Sequence, residues 1–158
     1  MASWTQSLHA LALLVAANAT PVVVAKVARD RAALALDFGR VMRDGERLLG
    51  AHKTWRGLVS GVLAGALVAA LLELSPWLGA GFAALSLTAD ALSSCIKRRL
   101  RLKPGAEFTG FDQLGEALLP LAVFAAPLGL GVTDILVTAA VFVALDVAAA
   151  PLRHRRWF

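Results

Sequence analysis

The sequence predicts an all-α integral membrane protein: five transmembrane helices, the N-terminus outside, the C-terminus cytoplasmic, and two long cytoplasmic loops. Three observations predict it. Of the 158 residues, 58% are hydrophobic and the mean hydropathy is +0.69, too apolar for a soluble domain of this length. Five apolar segments follow one another, at about 8–28, 57–74, 77–96, 114–130 and 134–152. All sixteen Lys and Arg residues fall in three stretches, Lys26 to Arg56, Lys97 to Lys103 and Arg153 to Arg156. The turns between segments two and three, and four and five, hold none, so the positive-inside rule makes the charged side cytoplasmic.

Each segment has its own punctuation. The first holds Asn18 and Pro21; a proline kink is tolerated in a span when neighbours satisfy the freed backbone groups. Met1 to Gln6 carries no Lys or Arg, unlike the n-region of a secretory signal, so this segment reads as a permanent helix entering from outside. The second carries Gly57, Gly61 and Gly65 at four-residue spacing, which lets helices approach closely, within the chain or in a dimer. Ser75-Pro76 turns the chain into the third. The fourth is interrupted by Pro120 and Pro127, and Gly129 to Thr133 turns it into the fifth. The whole reads as one transmembrane domain.

The charged loops carry the chemical diversity. A net charge of +5 flanking apolar spans points to lipid headgroups and anionic small molecules rather than nucleic acid. One cysteine, Cys95, excludes an internal disulfide, and His9, His52 and His154 are too scattered to suggest zinc. Gly45 and Gly50 with Lys53-Thr54 imitate a P-loop, but Ala51-His52 intervene and no strand precedes.

A carboxylate inside a span is costly and marks function by default. Asp90 precedes Lys97-Arg98-Arg99, and at 100° per residue Ser94 and Lys97 each fall within about 40° of Asp90 on one helix face, with Ser93 about 60° away on the side opposite Ser94. That pattern suits a metal or phosphate site, or an Asp–Lys tether at the interface. Asp146 is two turns from Arg153 and within pairing reach, while Glu73 and Asp134 are expected to be solvated at the outer turns. Lys53 and Arg56 stand beside the start of the second helix, where free N–H groups and the dipole favour phosphate. Asp112 and Glu116 share a face if the fourth helix has begun; Asp112 is then a helix cap or a carboxylate for a divalent cation.

These residues together resemble the CDP-archaeol synthase family, CTP-dependent lipid-phosphate cytidylyltransferases of archaeal type with bacterial members, and the chain reads as a bacterial-type member. The resemblance rests on Ala17-Asn18-Ala19-Thr20-Pro21, Asp37-Phe38-Gly39-Arg40, Asp44-Gly45, Lys53-Thr54-Trp55-Arg56-Gly57, Asp90-x-x-Ser93-Ser94-x-x-Lys97-Arg98-Arg99 and Phe111-Asp112-Gln113. It implies a transfer from CTP to a membrane lipid phosphate, with release of pyrophosphate and with Mg²⁺, in the cytoplasmic (inner) membrane with the active face cytoplasmic. It implies Asp90, Asp112 and Lys53 as catalytic residues, and Asp90 and Asp112, with Glu116, as metal ligands. Lys53, Thr54, Arg56, Gly57, Lys97 and Arg98 are implied for CTP or lipid phosphate, with Ser93, Ser94, Gln113, Asp37 and Arg40 supporting them. Ala89 stands where the family carries Gly, and Gly115 where it carries a second acid. The second departure keeps an alternative open, a non-catalytic accessory subunit of the same fold.

Overall fold

A computed structural model describes residues 4–29, 31–101 and 111–154. Among these residues the apolar segments form α1 Trp4–Ala28, α2 Trp55–Leu71, α3 Pro76–Arg99, α4 Phe111–Val123, the short α5 Ala125–Leu128, and α6 Val132–His154. No strand is present among them, only isolated bridges at Ala35–Thr54 and Val41–Arg47. Over Trp4–Ala28, Pro76–Arg99 and Val132–Ala150 the helices are long and apolar enough to cross a bilayer, while α2 and α4 are shorter apolar helices. The protein is an integral membrane protein. α3 packs against α1, α2 and α4, and α6 packs against α1 and α4, around a core that includes Leu13, Phe82, Leu121 and Phe142.

Lipid tails are as apolar as leucine, so helices in a membrane are held by close packing and by hydrogen bonds between them. The glycine stripe of α2 supplies the close packing, within the chain. A Cβ on Gly61 would stand 2.7 Å from the Ala17 carbonyl oxygen, and one on Gly65 2.6 Å from that of Gly79. The Ala17 carbonyl is the one that Pro21, lacking an N–H, leaves free four residues earlier in α1. The smallest residue of α2 thus meets the exposed backbone of α1.

The prolines of the fourth segment act in two ways. Pro120 leaves the Glu116 carbonyl without its helical donor, and the fully buried Ser86 of α3 replaces it, its hydroxyl donating to that oxygen at 2.9 Å. The Asn18 side chain in turn donates to Ser86 Oγ at 3.0 Å and to the Leu14 carbonyl at 3.0 Å. One buried chain of polar groups therefore joins α1, α3 and α4. Pro127 ends the helix instead. The expected single span over 114–130 breaks at Phe124, because Pro127 cannot donate to Val123 and its ring crowds that carbonyl. Gly129, left-handed at φ 67°, closes α5.

The turn into α6 also differs from expectation. Asp134 is buried rather than solvated. Its carboxylate accepts the Gly131 N–H at 2.9 Å and the Ser7 hydroxyl at 3.4 Å, satisfying a donor at the start of α6 and tying that end to α1.

Candidate active site

The segment between α1 and α2 is built around one carboxylate. Asp37 is buried and accepts Arg47 at 2.6 Å and the N–H groups of Gly39, Leu49 and Gly50 at 2.9, 3.2 and 3.3 Å. Burial alone pushes its pKa up, but the Arg47 guanidinium and the three amides outweigh burial and bring it from 3.8 to about 2. Residues 40–48 fold back on themselves, with Leu48 N–H donating to the Arg40 carbonyl at 3.0 Å and Met42 N–H to that of Glu46 at 2.9 Å. The end of α3 clamps this turn: Arg99 pairs with Asp44 at 2.7 Å and donates to the Arg47 carbonyl at 2.8 Å. Asp37 thus organises the loop through Arg47 and backbone, and Arg40 is exposed beside it.

This loop delivers Lys53 to the start of α2. The Leu36 N–H donates to the Lys53 carbonyl at 2.8 Å, and the Trp55 N–H to that of Leu34 at 3.0 Å. Thr54 is the N-cap of α2, its hydroxyl accepting the Gly57 N–H at 3.2 Å. Two of the N–H groups that make a helix start attractive to phosphate are therefore already bonded within the protein. Arg56 donates to the carbonyl oxygens of Arg29 and Arg31, just past the end of α1. Its charge faces the negative end of the α1 dipole.

Lys53 and Asp90 form an ion pair, each side chain about a quarter exposed, at 24% and 22%. The sequence pattern placed Lys97 beside Asp90 on one helix face, yet the ammonium that Asp90 holds comes from the loop, 37 residues away in the chain. Glu116 of α4 hydrogen-bonds the Asp90 carboxylate and lies close enough to Lys53 and Asp146 to feel both charges. Gln113, expected among the substrate contacts, is buried and donates to Asp146 at 3.1 Å. The expected Asp146–Arg153 pairing falls on a side chain outside the described residues, as does the side chain of Asp112. Ser93 turns its hydroxyl back to the Asp90 carbonyl at 3.0 Å, and Ser94 and Arg98 are buried in α3.

A cleft of about 530 Å³ is lined by Lys53, Thr54, Arg56, Gly57 and Asp90, and by Asn18 of α1. That volume suits a nucleotide-sized ligand. Of the residues singled out from sequence, it gathers those five. Asp37, Arg40, Ser93, Ser94, Lys97, Arg98 and Gln113 do not line it. His52 and Arg29 line it and were missed, as were the supports Arg47, Arg99 and Ser86; Arg99 stood in the Lys97-Arg98-Arg99 run without a role of its own, and the others are single polar residues without a motif.

Among the described residues, no three His, Cys, Asp or Glu groups converge as a metal site. The donor chemistry still fits Mg²⁺ at Asp90 and Glu116. That ion takes one or two carboxylates and completes its shell with water and phosphate, and two adjoining carboxylates hold either a shared proton or a cation between them.

Apolar helices with a charged cleft at one end define a membrane enzyme class in which a polar ligand is handled beside the lipid. Residues 7–79 match the family model described as CarS-like CDP-archaeol synthase. The chain is 41% identical over 122 residues to the CDP-archaeol synthase of Thermococcus kodakarensis, covering 70% of this chain and 67% of that one. It is 37% identical to that of Pyrococcus abyssi, covering 71% and 69%. Against that of Thermofilum pendens it is 42% identical, but spans half of the relative's length. The fold resembles the solved structure of an intramembrane enzyme for archaeal membrane lipid biosynthesis, with TM-score 0.67 and 30% identity over 87% of this chain and 90% of that one. The chain belongs to the CDP-archaeol synthase family.

Proposed function

We propose that this protein transfers the cytidylyl group of CTP to a membrane lipid phosphate, giving a CDP-lipid and pyrophosphate. The carrying observation is the Lys53–Asp90 ion pair lining a nucleotide-sized cleft, with Glu116 behind it on Asp90. The family's name and the apolar surroundings support CTP and lipid as the two substrates. We also propose five spans in one domain, with the N-terminus outside and the cleft on the cytoplasmic side, because the cleft lies on the side of every Lys and Arg.

An oxygen of the lipid phosphate attacks the α-phosphorus of CTP. The bond from that phosphorus to the β-bridging oxygen breaks, and pyrophosphate leaves with the electron pair. Such transfers depend on positioning and charge neutralisation rather than on a covalent nucleophile. Lys53 sets its ammonium against the phosphate oxygens, and Asp90 holds that ammonium in place. Arg56 fixes the entrance by joining the end of α1 to the start of α2. Mg²⁺ held by Asp90 and Glu116, with Asp112 four residues before Glu116 in sequence, would neutralise charge on the transferred group. We read Glu116 as the second acid of this set in place of Gly115, because Glu116 reaches Asp90 whereas a side chain at the exposed position 115 would enter open space.

The test is CDP-lipid formation from labelled CTP by purified protein, across ester- and ether-linked lipid phosphates with Mg²⁺. Asp90→Asn and Lys53→Met are expected to lower turnover by about 100-fold or more, while Thr88→Ala on the exposed side of α3 retains it. A folded preparation yielding no product with any lipid phosphate would return the chain to the accessory-subunit reading.

A further inference from the structure

The loop between α1 and α2 displays an apolar surface that the proposed reaction does not use. Phe38 is 69% exposed, Val41 58% and Met42 41%. This exposure is built in. Phe38 sits in the left-handed region at φ 51°, in a turn held by the buried Asp37 and its four donors. The Val41–Met42 segment is pinned by the Val41–Arg47 bridge and by Arg99 from α3. A loop free to relax would turn these side chains inward.

The surface is continuous with the lipid-facing side of a helix. Val59, Leu63, Leu67 and Leu71 are exposed at four-residue spacing along α2, and Trp55 begins the row. The Phe38 ring packs on Trp55 with centroids 6.1 Å apart. Tryptophan at the end of an apolar stripe marks the headgroup level, so Phe38 stands at that level too. Exposed Arg40 and Arg43 flank the patch, complementary to anionic headgroups.

We infer that the segment from Leu34 to Trp55 rests on the surface of the bilayer that α2 enters, with Phe38, Val41 and Met42 seated among headgroups and acyl carbons and Arg40 and Arg43 on anionic phosphates. The loop that carries Lys53 is then oriented by the membrane as well as by α3. This docking holds whatever reaction the cleft performs.

The experiment is nitroxide labelling of single cysteines at 38, 41 and 42 in a Cys95→Ser background, with Ala51→Cys on the cleft side as the water-exposed reference. Each protein is placed as one copy per nanodisc. Collision rates with oxygen and with a water-soluble nickel chelate are then compared. Labels at 38, 41 and 42 are expected to favour oxygen several-fold more than the label at 51. Adding phosphatidylglycerol to a phosphatidylcholine disc is expected to widen the difference, and Arg40→Ser/Arg43→Ser to abolish that widening. The inference is overturned if the labels meet the nickel chelate as freely as position 51 does. It is also overturned if they are shielded from both reagents, the mark of a protein partner. Agreement at 41 and 42 guards against a local effect of replacing Phe38.

Discussion

The buried hydroxyl of Ser86 offers a sharp test of how the site is held. Ser86→Ala removes the donor to the Glu116 carbonyl and the acceptor for the Asn18 amide. Each orphaned group costs about 1–3 kcal/mol, and hydrogen bonds between membrane helices fall at the low end, so the total is about 2 kcal/mol. The carbonyl needs Ser86 only because residue 120 is proline. In the Pro120→Ala background an N–H returns at 120, and the Glu116 carbonyl regains a donor inside α4. Pro120→Ala alone loses packing, since Pro120 is fully buried. The double variant should nevertheless be more stable than the sum of the single losses by about 1 kcal/mol. A four-member cycle in detergent, followed by chemical denaturation, measures this coupling. At this chain length about 2–4 °C of melting temperature accompanies each kcal/mol, so thermal melts provide a second reading. Additivity within about 0.3 kcal/mol would refute the claim that Ser86 repairs the proline's gap.

Three further outcomes follow from the geometry. Asp37 has a lowered pKa in the folded protein, so its contribution is fully present above about pH 4 and is lost as pH falls through about 2. Asp37→Asn should therefore open the loop at neutral pH and matter little below pH 2, read as amide exchange at Leu49 and Gly50. Gly65→Ala should cost about 1–3 kcal/mol by forcing α2 from α3, because the Gly79 carbonyl oxygen and the Ala83 Cβ of α3 both stand in its way; Gly115→Ala, facing open space within a helix, should stabilise by about 0.5–1 kcal/mol, and melting curves of the pair decide it. Thr54→Ala should lose about 1 kcal/mol of helix capping, whereas Thr54→Asp keeps a cap but places a negative charge in the cleft, so its KM for CTP should rise at unchanged stability. A Thr54→Asp protein with unaltered KM would remove Thr54 from the nucleotide's path.

Much of this protein was legible before any coordinates. The apolar segments, the clustered cations and the family motifs pointed to the helices, the membrane and several residues that line the cleft, because hydropathy and charge act locally along a chain. Lys53, Thr54, Arg56, Gly57 and Asp90 were singled out and do meet. Their roles were less legible. Thr54 and Arg56 looked like phosphate ligands, and in the structure one caps α2 and the other closes the end of α1. Asp134 looked solvated, and it is buried, with Ser7, 127 residues away in the chain, donating to its carboxylate.

The sequence by itself determined that the chain enters a membrane and which family it resembles, since both are written in residue type and spacing. Only the tertiary structure decided that Asp90 pairs with Lys53 rather than Lys97, that Ser86 serves the carbonyl Pro120 leaves free, and that the glycines of α2 face α1 and α3 within one chain. Helical periodicity states which residues share a face. It does not state which neighbour that face meets, and in a bundle the partner of each buried polar group is chosen by how the helices cross.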